Sequence, residues 1–188
     1  NVSWMKNKYE NINQSSYLKK IVFIGNLSKR KGIMYLLQAF NKLTNKNKNI
    51  FLHIVGDGML KKKVIKYIYS HELDSNIEVH GYIEEPLNIL SKSDLLVVPS
   101  LYDPFPNTVL ESLYVGTPVI GSRIKGIMSQ LKYSSLLFKP KSHEAIYKKL
   151  YNLLNKSQYL SCKEKCNKRR IKYIFDWTGE FEKIFNDL

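Results

Sequence analysis

The 188-residue chain is 44% hydrophobic and 12% aromatic, which is enough for one globular domain with a buried core and excludes a disordered chain. No apolar run is long enough to span a membrane, and no signal-peptide pattern opens the sequence. A formal net charge of +14 points to nucleic acid, an anionic membrane or an anionic ligand. Only four of the 30 basic residues are Arg, and Lys, Asn and Ile abound, so compositional bias stands as an equal explanation of the charge.

Residues 1–20 are polar and aperiodic, the pattern of a linker or extension. Ile21–Ile24 predicts a buried strand that stops at Gly25. The turn from Asn26 to Gly32 carries Lys29, Arg30 and Lys31. Ile33, Leu36, Leu37, Phe40 and Leu43 then recur at spacings of three and four, which predicts a helix. A strand, a basic turn and a helix start form a place to hold phosphate, although basic runs are also common on solvated surfaces. Ile50–Val55 predicts the second strand, and a helix with Leu60, Val64, Ile65 and Ile68 follows Gly56-Asp57-Gly58. Gly56 and Gly58 allow backbone to approach a ligand closely. The Gly-x-Gly-x-x-Gly of a dinucleotide site is missing. His53 alternates within its strand and reads as a core or edge residue, not a ligand. Ile77–His80, closed by Gly81, predicts a third strand. Tyr82 and Ile83 after it suit packing against either a flat base or protein. A short helix over Glu85–Leu90 leads to Asp94, which reads as a turn or cap residue.

Leu95–Val98 is an apolar run that predicts a fully buried strand. Pro99, Pro104 and Pro106 force a loop after it. Asn107 suits a helix N-cap, with Val109, Leu110, Leu113 and Tyr114 forming a stripe behind it. Gly116 marks the helix end, and Pro118-Val119-Ile120 opens another strand. Two carboxylates, Asp103 and Glu111, therefore fall on the loop and the first helical turn. In open α/β sheets, ligands bind beyond the carboxyl ends of strands. Free N–H groups at a helix start favour an anion, and a carboxylate accepts two hydrogen bonds from a diol. These residues suit a phosphate and a polyol bound side by side. Ser135–Phe138 predicts a last short strand, Ser142 an N-cap, and 156–172 a Lys-rich helix. Cys162 and Cys166 lack a cluster of His or acidic partners and read as buried thiols in a reducing compartment. The alternation of five or six strands with helices predicts an α/β fold, a doubly wound parallel sheet.

The stretch Asp103-Pro104-Phe105-Pro106-Asn107, Leu110-Glu111-Ser112 and Gly116-Thr117-Pro118-Val119-Ile120 resembles the acidic motif of retaining glycosyltransferases with the two-domain GT-B architecture, family 4 in the usual classification. The family pattern is Glu, seven residues, Glu, with a Gly-x-Pro-Val-Ile tail; here the first acid is Asp, one methylene shorter. The likeness extends over about residues 20–188. It implies a Rossmann-like domain over 21–172, one half of a GT-B enzyme, with 173–188 forming a C-terminal helix that packs on an N-terminal domain outside this sequence. The turn starting at Gly25 is similar to the family's Gly-Arg-Leu-x3-Lys-Gly loop, whose Arg and Lys contact the donor diphosphate. Lys31 matches the Lys, and Asn26 stands at the Arg position, with Arg30 or Lys29 available to replace it. Gly56 and Gly58 match a Val-Gly-Asp-Gly turn beside the nucleotide, and the loop of Tyr82 lies near the base. Asp103 would hold the donor sugar, Glu111 the ribose diol, and Phe105, Asn107 and Thr108 would offer backbone groups. Val109 completes the donor-binding set, and Lys31, Asp103 and Glu111 form the catalytic one. Gly126-Ile127 fits the family's Gly-Gly-Ile-Pro-Glu segment only in part and marks no site.

The resemblance implies donor binding for a retaining transfer from a nucleotide-diphosphate sugar, with UDP ahead of GDP. The acceptor would be a polysaccharide, lipopolysaccharide or glycolipid reached through the N-terminal domain, and the chain alone would transfer nothing. No metal or other cofactor is expected, since Asp-x-Asp is missing. An anionic membrane surface is a candidate partner, with a cytoplasmic location, peripheral at the inner face of the membrane. Nucleic acid is not expected: helix-turn-helix, zinc and aromatic-sheet motifs are all missing. A non-catalytic sugar-nucleotide-binding or scaffold module is the alternative. The Phe-Pro-Asn motif argues against a sugar-nucleotide epimerase of the same architecture.

Overall fold

Short runs of branched apolar residues, each closed by glycine, proline or a polar turn, become strands because helices cover both of their faces. In the computed structural model, which describes residues 15–173, the strands are β1 (Lys20–Ile24), β2 (Phe51–Val55), β3 (Ile77–Gly81), β4 (Leu95–Val98), β5 (Val119–Ser122) and β6 (Leu137–Phe138). They form one sheet in the order β3-β2-β1-β4-β5-β6, every pairing parallel. The helices are α1 (Ile33–Thr44), α2 (Lys61–Ser70), α3 (Leu87–Ser91), α4 (Asn107–Val115), α5 (Lys125–Leu131), α6 (His143–Leu153) and α7 (Lys156–Tyr173). α1 touches α2 and α6, whereas α4 touches α3, α5 and α7. Two helical layers therefore enclose the sheet, the Rossmann-like doubly wound arrangement expected from the sequence.

The central strands carry the core. Ile21, Val22 and Phe23 of β1 and all four residues of β4 are buried, as are Ile33, Leu36, Leu37, Phe40 and Leu43 of α1. The predicted stops hold: Gly116 ends α4 at φ 80°, and the Ser142 hydroxyl caps α6 by accepting from the Ala145 N–H at 3.1 Å. Cys162 and Cys166 are buried free thiols. The hydrogen bond with Cys166, together with burial, holds the Cys162 thiol above its ordinary range.

Several boundaries differ from the sequence reading. Pro106 occupies the N-cap of α4 with φ −68° and its carbonyl accepts from Val109 N–H at 3.1 Å. Asn107 is thus the first helical residue, because proline already supplies a helix-compatible φ. Glu111, its fifth residue, lies in the second turn instead of the first. α5 was not foreseen, and the last strand shrinks to Leu137–Phe138 behind a 3-10 turn over Ser134–Leu136. Leu18 is buried, so the domain's packing begins before residue 21. The aromatic segment Phe175-Asp176-Trp177, with all but the first residue of the helix expected over 173–188, and residues 1–14 of the expected linker lie outside the described residues.

Asp94 straps the start of the central strands together. One carboxylate oxygen accepts from the N–H groups of Lys19 and Lys20 at 2.9 and 2.8 Å. Its own N–H donates to the Lys20 carbonyl at 2.8 Å, and its carbonyl accepts from the buried Tyr159 hydroxyl of α7 at 2.9 Å. Replacing Asp94 by Ala removes the acceptor of two strand N–H groups and should cost about 1–3 kcal/mol. Urea unfolding of Asp94→Ala should show a lowered midpoint, and an unchanged midpoint would remove this role.

Candidate functional site

The strand order reverses between β1 and β4. From β1 the chain turns towards β2, and from β4 towards β5. The loops leaving these neighbours part, and a crevice opens at the carboxyl end of the sheet. The basic turn and the proline-rich loop face each other across it.

The 3-10 turn Lys29–Lys31 is stitched to the opposite loop by its backbone. Leu101 N–H donates to the Arg30 carbonyl at 2.8 Å. Gly32 follows at φ 72°, where a Cβ would lie 2.0 Å from the Pro99 carbonyl oxygen, so only glycine permits this approach. The result brings Lys31 Nζ to 2.6 Å from Asp103 Oδ2, both side chains largely shielded. The half-buried Glu111 stands near the same ammonium. Burial raises the Glu111 carboxyl above its ordinary range, and the positive charge of Lys31 opposes that rise. Two of the three residues expected to carry the chemistry are thus joined in one ion pair, although Asp103 and Lys31 are 72 positions apart, and Glu111 feels the same positive charge.

A second group lines an adjoining cleft of about 510 Å³ beyond β1, β2 and β3. Gly25, Asn26, Gly56, Gly58 and Tyr82 all border it, with Asp57, Ile83 and Pro86. Its floor is hydrogen-bonded backbone: Gly25 N–H to the Val55 carbonyl at 3.0 Å, Leu27 N–H to Asp57 at 2.8 Å, and Gly56 N–H to Gly81 at 2.7 Å. Asp57 pairs with Lys61 at 2.5 Å, and this hydrogen bond, with one from Gly58 N–H, holds its carboxyl below the usual range. Tyr82 is 78% exposed and Phe105 53%, so both rings are available to a ligand. The aliphatic part of Lys31 runs within 3.8 Å of the position a Gly25 Cβ would take, which places the Lys31 chain at the border of the two groups.

Two expected contacts are placed elsewhere. Val109 is fully buried and its N–H donates to the Pro106 carbonyl; it anchors the helix in the core and has no side chain to offer a ligand. Arg30 Nη1 donates to the Tyr102 carbonyl at 3.2 Å, so it braces the acidic loop. Asn107 and Thr108 open α4, as needed for its N-terminal N–H groups to face an anion.

The sequence reading missed the support for the acidic loop. A Cβ on Gly126 would fall 2.2 Å from the Asp103 carbonyl oxygen and 2.3 Å from that of Pro104; α5 is seated directly on the loop. The buried Gln130 donates to the Pro106 carbonyl at 3.2 Å, and Arg169 of α7 donates to the Gln130 carbonyl at 2.8 Å. Gly126 was visible as a glycine but sat in a segment with no apolar period. Among the described residues, the one cluster of three His, Cys, Asp or Glu side chains close enough to share an ion is His53, Glu78 and His80, away from these loops.

The model of the family described as glycosyl transferases group 1 matches residues 6–173. An uncharacterized glycosyltransferase of Methanocaldococcus jannaschii is 35% identical over 121 residues, 64% of this chain and 29% of that protein. The O-antigen biosynthesis glycosyltransferase WclY of Escherichia coli is 34% identical over 113 residues, 60% of this chain and 31% of that protein. The chain therefore spans about a third of the length of these relatives. Among solved structures, a mutant of S. aureus TarM in complex with fondaparinux, alpha-GlcNAc-glycerol and UDP superposes with a TM-score of 0.79 at 22% identity, over 95% of this chain and 37% of that one. The likeness in fold and the match over most of the sequence agree: the chain belongs to the glycosyl transferases group 1 family.

Proposed function

We propose that this chain is the donor-binding half of a retaining glycosyltransferase and holds a nucleotide-diphosphate sugar, UDP-linked in the first instance. The observation that carries the reading is the Lys31–Asp103 pair at 2.6 Å with Glu111 beside it, at the edge of the glycine-lined cleft. The glycosyltransferase family match and the UDP complex of TarM support it. The alternative, a binding module without chemistry, shares the same donor pocket.

Breaking the sugar–phosphate bond leaves negative charge on a diphosphate, so the site must supply fixed positive potential. Lys31 supplies a full charge, and the N-terminal N–H groups of α4 a partial one. Without ligand, Asp103 balances the ammonium. A diphosphate would take over that role and free Asp103 to accept from the hydroxyls of the donor sugar. Glu111 would accept from both ribose hydroxyls, and the cleft under Tyr82 would take the base. The acceptor, a polysaccharide, lipopolysaccharide or glycolipid, would be bound by chain outside this sequence, and transfer would need that part.

Calorimetric titration with UDP, GDP and ADP tests the pocket, and UDP should bind tightest. Glu111→Gln should weaken UDP while leaving 2′-deoxy-UDP nearly unaffected, since only the former offers the diol; equal losses for both would refute the ribose role. Burial raises the Glu111 carboxyl, so its charged form, the better acceptor, is complete only above the ordinary carboxylate range. The affinity ratio of the wild-type chain to Glu111→Gln should therefore rise with pH through that raised value, and a flat ratio would contradict it.

Lys31→Met should lower UDP affinity about 10- to 100-fold, the worth of one charge-assisted contact, and leave uridine binding unchanged. A matched loss for uridine would mean a folding defect instead. Gly126→Ala forces backbone apart beneath Asp103 and should destabilise the domain by about 1–3 kcal/mol, read as a drop in urea midpoint. UDP binding should weaken with it.

A further inference from the structure

Along β2 and β3 the fold gathers three side chains that lie outside the residues bordering the donor cleft. We propose that His53, Glu78 and His80 form a binding site for a divalent transition-metal ion of the zinc class, tying the edge strand β3 to β2. His53 Nδ1 lies 3.0 Å from His80 Nε2. Glu78 reaches both rings, one oxygen 3.4 Å from His53 Nδ1 and the other 3.5 Å from His80 Nδ1. A tetrahedral ion with bonds of 2.0–2.1 Å sets its ligand atoms about 3.3 Å apart; the spacings from His53 Nδ1 to His80 Nε2 and to the Glu78 carboxylate match two such edges, and one ligand atom from each of the three side chains lies within 4.8 Å of the others. Two imidazoles and one carboxylate are a known zinc ligand set that leaves a fourth position open. Glu78 is 65% exposed, which leaves that position and the route to it in solvent.

The backbone explains why the rings meet. His53 pairs with Glu78 and Ile54 with Val79, but Val55 pairs with Gly81. Glu78 and His80 are two residues apart on β3 and so share one face by ordinary strand alternation, and the bulge between Ile54 and Val55 leaves His80 as the extra residue of the ladder. The two rings end nearly stacked, with centroids 5.2 Å apart and 26° between their planes. Strand residues hold ligands more rigidly than loop residues, and an ion here would fasten the ladder where the bulge interrupts it. Lys20 of β1, whose partner in β2 is Phe51, brings a positive charge to bear on His53, and it is exposed to solvent.

The test is calorimetric titration of the chelator-treated, reduced chain with zinc chloride, alongside thermal unfolding with and without zinc. One ion per chain should bind and raise the unfolding temperature, since a ligand that binds only the folded state stabilises it. His53→Gln, His80→Gln and Glu78→Gln should each weaken binding at least 10-fold and abolish the thermal shift. His71→Gln and His143→Gln should change neither. Cobalt in place of zinc should give the visible absorption of a tetrahedral site, lost in the same three variants. The exposed Glu78 position tolerates substitution without loss of fold, so its variant remains informative if a histidine variant unfolds. No zinc binding by the wild-type chain, or binding retained in Glu78→Gln and in the His53/His80 double variant, would overturn the assignment. None of these residues belongs to the donor site, and the result stands apart from the UDP titration.

Discussion

The parallel pairing of β1 with β4, Ile21 against Leu95 and Val22 against Leu96, is the constraint on which the functional end of the domain rests. At such a reversal the chain leaves the two strands in opposite directions, and a crevice opens over the sheet edge. Beside it the turn after β1 and the loop after β4 meet through backbone, with Leu101 N–H on the Arg30 carbonyl, and this contact brings Lys31 to Asp103. Their ion pair is largely shielded from water, where an ammonium without a counter-charge would be costly. Under the proposed function, the cation that would meet a diphosphate is thus positioned and neutralised beforehand.

Much of what holds this arrangement lies outside the acidic motif. The proline-rich loop rests on α5 through Gly126, and its Pro106 carbonyl is taken by Gln130, which α7 in turn holds through Arg169. α7 also reaches the sheet, with the Cys166 thiol against the Val119 backbone and the Tyr159 hydroxyl on Asp94. Residues with no polar group near the cleft consequently set the position of Asp103 and of the start of α4. Such a relay of packed groups keeps a binding constellation within the narrow geometry that recognition needs.

The strands were legible because each is a short apolar run between strong punctuation, and a parallel sheet covered on both faces requires such runs. The helix start was placed one residue late: Asn107 has the chemistry of a cap, but Pro106 already has the backbone torsion. Val109 looked like part of a binding motif because it sits inside one; helical phase instead points it into the core. α5 escaped notice because Gly126, Ser129 and Gln130 interrupt its apolar period, and the burial of Gly126 and Gln130 depends on what packs against them. His53 read as an ordinary strand residue, since the register that sets Glu78 opposite it, with His80 on the same face, is a property of the ladder between two strands.

From the sequence alone came the alternation of strands and helices, the class of fold, and residue types that suit a phosphate and a diol, because periodicity and turn chemistry are local properties of the chain. The tertiary structure alone decided which of those residues meet. It paired Lys31 with Asp103 across 72 positions, set Arg30 to brace the loop, withdrew Val109 into the core, and brought His53, Glu78 and His80 together. Each outcome depends on strand order, ladder register and close backbone approach, which are relations between distant segments and have no expression in either segment by itself.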